Sequence, residues 1–249
     1  MFPIRDHNPS RQTPYVTYAL IAINVVVFVS YWSLFADQRA LQLFFYDWAM
    51  TPALVSQQGT YATLFTSMFL HGGLMHLAGN MLFLYIFGDN LEDEMGHAGY
   101  ALFYVASGLG AGLAHLISAP YSQVPTVGAS GAIAGVMGGY LLLFPKARVD
   151  VLLIFIFFVK LIPVPAWLML AIWFGLQLFS GIGSDPTGGG VAYWAHAGGF
   201  VIGLILTVPV FFKRGGPAFW NRTDGQPPHA PAQYPFRRSD IPRVRRHRK

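Results

Sequence analysis

Cysteine is absent from the 249 residues. That excludes disulfide bonds, a thiolate nucleophile and any cysteine-ligated metal. Charge is nearly as scarce: 11% of the chain is Asp, Glu, Lys or Arg, against about 25% in an ordinary soluble domain. So few charges cannot cover a soluble surface, so that class is excluded, as are collagen-like, disulfide-scaffold and wholly disordered chains. No internal repeat is evident. A cleaved leader is also missing from the expected pattern. The apolar run from Tyr15 to about Phe35 exceeds the roughly 7–15 residues of a signal-peptide core, and no small-x-small site closes it. It reads as a retained first span.

What the chain has is apolar length. Hydrophobic residues make up 54% and the mean hydropathy is +0.45. Uncharged runs of 25 residues (12–36), 41 (48–88), 51 (95–145), 24 (161–184) and 27 (186–212) follow one another. A membrane-crossing helix needs about 20 apolar residues, so each run can hold one or two spans. Spans are expected at about 15–36, 71–88, 98–118, 130–144, 163–180 and 191–212. Residues 149–162 are apolar but short and are stopped by Pro163 and Pro165, so they read as a partly embedded connector. The expected fold is an all-α membrane protein, a bundle of six transmembrane helices.

Orientation follows from the basic residues. With six spans both termini share a side. That side collects Arg5, Arg11, Lys146, Arg148 and ten more between Lys213 and Lys249, while the other holds only Arg39. The excess places both termini in the cytoplasm. Residues 1–14 are then a cytoplasmic N-terminal segment and 15–212 the membrane domain. Residues 213–249 make a basic, Pro-rich tail, expected to be disordered. Its terminal Arg243-Val244-Arg245-Arg246-His247-Arg248-Lys249 reads as leaning on anionic lipid rather than binding nucleic acid.

Polar side chains inside spans are costly and therefore mark function. His71, His76, His115, His196, Asn80 and Ser130 are such residues. Spans two, four and six run inward from the outer side, which puts His71, His76, Asn80, Ser130 and His196 at similar depth. A serine needs a neighbouring base to become nucleophilic, and histidine is the natural one. Gly131, Gly135 and Gly139 in span four, with Gly199 and Gly203 in span six, form small-residue faces that let two helices approach closely. Packed together, these faces would bring Ser130 towards His196. His76 and Asn80 are four residues apart and so share a helix face. Two donors aimed at one point suit an oxyanion hole, although interhelical hydrogen bonding is an equally ordinary use. His71 points elsewhere. Metal binding is disfavoured, since no HExxH is present and no carboxylate lies at this depth. Asp185 is read as an outer-loop acid rather than a third catalytic member.

These motifs resemble a known family. Gly128-Ala129-Ser130-Gly131, Ala195-His196-Ala197-Gly198-Gly199 and the stretch from His71 through His76 to Asn80 resemble the signatures of rhomboid intramembrane serine proteases, over roughly residues 14–212. The resemblance implies a rhomboid-like catalytic domain, with Ser130 as nucleophile and His196 as general base in a dyad without an acid. His76, Asn80 and the Ser130 backbone N–H would form the oxyanion hole. Gly128, Gly131, Gly199 and Gly203 would permit the helix packing at the site. It further implies endopeptidase cleavage in or near the spans of single-span or other membrane-protein substrates, without cofactor or metal. The expected location is a bacterial plasma (inner) membrane, with lipid and substrate as partners and no nucleic acid.

Two departures stand out. Many relatives carry Trp-Arg before the span-two motif, where this chain has Thr60-Tyr61-Ala62-Thr63. Some place an aromatic four residues after the serine to stack on the histidine, where this chain has Ala134, so another group must orient His196. The competing reading is a non-catalytic scaffold that binds spans without cutting them. A Ser130–His196 separation well above about 3.2 Å would favour it. A transporter would call for broken midplane helices and repeats, which the chain does not offer.

Overall fold

The computed structural model describes residues 2–155, 158–184, 190–228, 230 and 232. Asp185 and the basic terminal run lie outside the described residues. The first long helix, α1 (Tyr15–Ser30), starts directly after Pro14, a position where the missing N–H of proline costs nothing. A 3-10 turn at Trp32–Ala36 leads to a helical outer segment: α2 (Gln38–Trp48), α3 (Pro52–Gln58) and α4 (Thr63–Thr66). Asp37 caps α2 by accepting the Arg39 and Ala40 N–H groups. The amphipathic α2 has no buried residue.

Helix α5 (Leu74–Met95) and α6 (His97–Ser118) are joined by Gly96 alone, whose φ of +73° is open to glycine at little cost. Helix α7 (Ser130–Leu143) has only 14 residues, and eleven of them are buried. At about 1.5 Å per residue it is roughly 21 Å long, short of the roughly 30 Å hydrocarbon layer. Helices α8 (Ala166–Gly183) and α9 (Tyr193–Lys213) complete the bundle. Among the described residues three helices, α6, α8 and α9, are long and apolar enough to cross a membrane. A fourth crossing exists if the segment at 63–69 and α5, bent by 91°, count as one. Helices α1 and α7 are apolar but shorter. The chain is a mostly helical membrane protein.

The packing around α7 follows its small residues. A Cβ on Gly199 would collide with the Gly131 carbonyl, and one on Gly203 with the Gly135 backbone. On the other side of α7, a Cβ at Gly131 would stand 2.6 Å from the Ala111 Cβ of α6. The two glycine faces read from the sequence do meet, with α6 closing the third side.

The residues between α7 and α8 differ from expectation. Where a partly embedded connector was expected with no strand in it, they form a hairpin of β2 (Arg148–Phe155) and β3 (Phe158–Pro165). The N-terminal segment adds strand β1 (Phe2–Asp6), giving an antiparallel sheet of order β1-β2-β3. The sheet fastens an end of the bundle opposite Ser130. There Arg5 donates to Asp150 at 2.7 Å and Arg11 to Asp93 at 3.0 Å, while Arg214 pairs with Glu94. The tail also begins in order rather than disorder. Helix α10 (Pro217–Thr223) buries Phe219, and Lys146 pairs with Asp224 at 2.6 Å. Phe219 supplies the apolar anchor that the Pro-rich composition of the tail as a whole conceals. Residues 233–249 lie outside the described residues.

Candidate active site

Ser130 is the first residue of α7, and His196 lies one turn into α9. Although 66 positions separate them, Ser130 Oγ lies 2.7 Å from His196 Nε2. That is hydrogen-bond contact and well inside the reach of a general base. The glycine contacts explain it. With Gly199 seated on the Gly131 carbonyl, the first turn of α9 lies against the first turn of α7.

The loop before Ser130 is equally constrained. The Gly128 N–H donates to the Ser67 carbonyl at 2.9 Å, and Met50 and Thr126 form an isolated bridge. Gly128 has φ of +130°, and a Cβ there would stand 2.9 Å from His76 Nε2 and 3.4 Å from Ser130 Oγ. A glycine is therefore required both for its backbone and for space. The point beside it is flanked by His76 and Ser130 together.

His76 Nδ1 accepts from the Gly72 N–H at 3.3 Å. An accepting Nδ1 carries no proton, which leaves Nε2 as the N–H donor. This is the nitrogen that faces Gly128. Asn80, one turn further along α5, is buried, and its Nδ2 has no partner among the described residues. Buried donors rarely go unpaired, and a catalytic role is one reason for an exception. His76, Asn80, Ser130 and His196 all line one cavity of about 540 Å³, together with His115 and Tyr193. This volume falls within the range of small-molecule and substrate pockets.

The other residues named from sequence fall as follows. His71 sits in the loop before α5 and is fully buried. Its backbone is gripped by Tyr31, whose hydroxyl donates to the His71 carbonyl at 2.9 Å and accepts its N–H at 2.7 Å. It is a structural anchor, with its ring 5.1 Å from that of His76. Among the described residues no group of three or more His, Cys, Asp or Glu could hold a metal ion.

The sequence left open what holds His196 in place of an aromatic at Ala134. Two residues of α8 lie against it. The Trp173 ring is 5.9 Å from the imidazole at 32°, and Gln177 Oε1 is 2.9 Å from Nδ1. The only local signal was an amide in an apolar span, four residues after a tryptophan. Trp167, by contrast, is exposed.

Comparison with known proteins identifies the family. The rhomboid domain matches residues 58–213, a stretch that contains every residue of the cavity named above. Rhomboid protein 1, mitochondrial, of Saccharomyces cerevisiae is 31% identical over 198 residues, covering 76% of this chain and 51% of the yeast protein. Rhomboid protease GluP of Bacillus subtilis is 39% identical over 84 residues, 34% of this chain and 16% of that protein. Rhomboid-like protein 11, chloroplastic, of Arabidopsis thaliana is 44% identical over 70 residues, 28% of this chain and 25% of that protein. The chain spans about half, or less, of the length of these relatives, which are named for mitochondrion and chloroplast as well as coming from a bacterium. With the domain match covering more than half of its length, and with the site residues inside that match, the chain belongs to the rhomboid family.

Proposed function

We propose that this protein is an intramembrane serine endopeptidase in which Ser130 and His196 form the catalytic dyad. The observation that carries the reading is the 2.7 Å contact between Ser130 Oγ and His196 Nε2. A scaffold has no need to hold a serine hydroxyl against an imidazole at the floor of a cavity.

In the first step His196 Nε2 takes the hydroxyl proton while Oγ attacks the scissile carbonyl. The carbonyl oxygen becomes the oxyanion. In this reading His76 Nε2–H, Asn80 Nδ2 and the Ser130 N–H donate to it, and the N-terminus of α7 adds a favourable dipole; their lining of one cavity supports it. Collapse of the tetrahedral intermediate breaks the C–N bond, and His196 returns the proton to the leaving amine. Water then attacks the acyl-enzyme with His196 again as base, releasing the acid and restoring Ser130.

The substrates in this reading are spans of other membrane proteins. A helical carbonyl is already hydrogen-bonded, so the substrate must unwind locally, and unsatisfied backbone is costly in lipid. Because α7 is short, the serine lies below the outer surface with a wet cavity above it. Small or helix-breaking residues in the substrate would lower the cost of unwinding there. The same reading gives the bundle six crossings with both termini in the cytoplasm. The clustering of Arg5, Arg11, Lys146, Arg148 and Arg214 around one end of the bundle supports it through the positive-inside bias.

The test is cleavage in proteoliposomes of a single-span reporter carrying small residues near its outer boundary. Wild type should cut it, and Ser130→Ala and His196→Ala should each lose activity by several orders of magnitude. Equal cleavage by wild type and Ser130→Ala would refute the dyad.

A further inference from the structure

We propose that Gln177 is the positioning residue that fixes the tautomer and orientation of His196, taking the place of the acid in a three-membered triad. The inference rests on the serine–histidine reading and deepens it.

The argument is one of hydrogen-bond polarity. Gln177 Nε2 donates to the Trp173 carbonyl at 3.3 Å. A carbonyl can only accept, so the amide NH₂ must lie on that side and Oε1 on the other. Oε1 is the atom 2.9 Å from His196 Nδ1. As an amide oxygen only accepts, Nδ1 must carry the imidazole proton. A neutral imidazole has one proton, so Nε2 is left as the acceptor, and it faces Ser130 Oγ at 2.7 Å. The chain of donors therefore runs in one direction, from the serine hydroxyl through the imidazole to the amide and the α8 backbone. Turning the amide over would set two carbonyl oxygens against each other and demand the tautomer in which Nε2 cannot take the serine proton.

Trp173 and Gln177 are four residues apart on α8, so one helix face presents both the ring and the amide to His196. This face opposes a stripe of exposed apolar side chains, Ile172, Leu176, Phe179 and Ile182. Helix α8 is also the least secured of the long helices near the site. Four of its 18 residues are buried and three of those lie in its first turn and a half, at Ala166, Met169 and Leu170. The base is thus oriented from a helix whose cavity half is lightly packed, and an outward shift of α8 would take the acceptor away from Nδ1.

The experiment compares Gln177→Leu and Gln177→Glu with wild type in proteoliposomes, reading kcat and KM for the reporter and the labelling rate of a small fluorophosphonate. Leu keeps the bulk and removes the acceptor. Its kcat and labelling rate should fall together, on the order of ten- to a hundredfold, less than the loss of the base itself, with KM and thermal stability near wild type. Glu supplies an oxygen at the same place and should restore most of both rates. Wild-type rates in Gln177→Leu, or a Glu variant no better than Leu, would overturn the assignment. So would a rise in KM with unchanged labelling, which would make Gln177 a substrate contact instead. Ser130→Ala run alongside separates the failures: if it still cleaves, the dyad reading is what has failed.

Discussion

The two ends of the bundle are built differently. At the end away from the cavity, backbone and charge fasten everything to its neighbours. Glu92 accepts the Val16 and Thr17 N–H groups, both at 2.8 Å, and the Thr17 hydroxyl at 2.7 Å. It thereby caps α1 from another helix. Tyr140, fully buried in the last turn of α7, donates to Asp6 at 2.7 Å, and the sheet ties residues 2–6 to 149–152. At the cavity end the loops are also tied by backbone bonds, but the site side chains are linked by single hydrogen bonds: Ser130 to His196, His196 to Gln177, Gly72 to His76. Helix α7 belongs to both ends, with Ser130 at one and Tyr140 at the other. The fastened end anchors the helix that carries Ser130, while the other end encloses a cavity of about 540 Å³. The contrast teaches that stability and chemistry are carried by different residues, so they should separate on mutation.

The largest separation should come at the cavity end. In the proposed mechanism His76→Ala removes one oxyanion donor, and it should lower kcat by about 10²–10³, while the melting temperature in detergent stays near wild type. A large loss of stability instead would make His76 a packing residue and blur the distinction between the ends.

The next test asks whether α8 must move. The absence of native cysteine leaves a clean background for a disulfide. A Cβ at Gly181 would stand 3.3 Å from the Tyr193 Cβ, close to the roughly 3.5–4.5 Å a disulfide needs. Oxidised Gly181→Cys/Tyr193→Cys should cut the single-span reporter at least tenfold more slowly, recover on reduction, and keep its fluorophosphonate labelling. Undiminished cleavage in the locked form would exclude substrate access past α8.

A smaller effect is expected at the fastened end. Glu92→Ala leaves two N–H groups of α1 without their acceptor. It should cost about 2–3 kcal/mol of stability, seen as a lower melting temperature, while folded protein at low temperature still labels at the wild-type rate.

How much of this was legible in advance depended on distance along the chain. The site motifs are local: Gly128 to Gly131 and His76 to Asn80 are read within a turn, and the glycine spacing of α7 and α9 announces their contact. Strand β1 was not legible, because it pairs with residues about 145 positions away and carries no periodic pattern of its own. The apolar composition of residues 149–162 does not reveal a hairpin, because the strand that flanks it, β1, lies at the far end of the sequence. Gln177 was invisible for another reason, since a lone amide in a span signals polarity but not its partner. Residues 1–57 also lie outside the rhomboid match, so the arm that fastens the lower end is read from this structure alone.

The subtlest difference between the ends is one of pH. Burial, and then the nearby Asp89 carboxylate, push the Asp6 carboxyl up to about 8, partly offset by the Tyr140 hydroxyl bond. Between the ordinary carboxylate value of 3.8 and about 8 the folded protein holds a proton that the unfolded chain has released. Stability should therefore fall as pH rises through that window and level off above it. Asp6→Asn should flatten the slope in thermal melts, and an unchanged slope would assign it to other groups.

The central claim is that Ser130, activated by His196, is the nucleophile. Its most direct test is fluorophosphonate labelling of the full chain in proteoliposomes, with the adduct mapped by peptide mass spectrometry. The account predicts one phosphonylated residue, Ser130, and loss of labelling in His196→Ala. An adduct elsewhere, or none on folded protein, would contradict it.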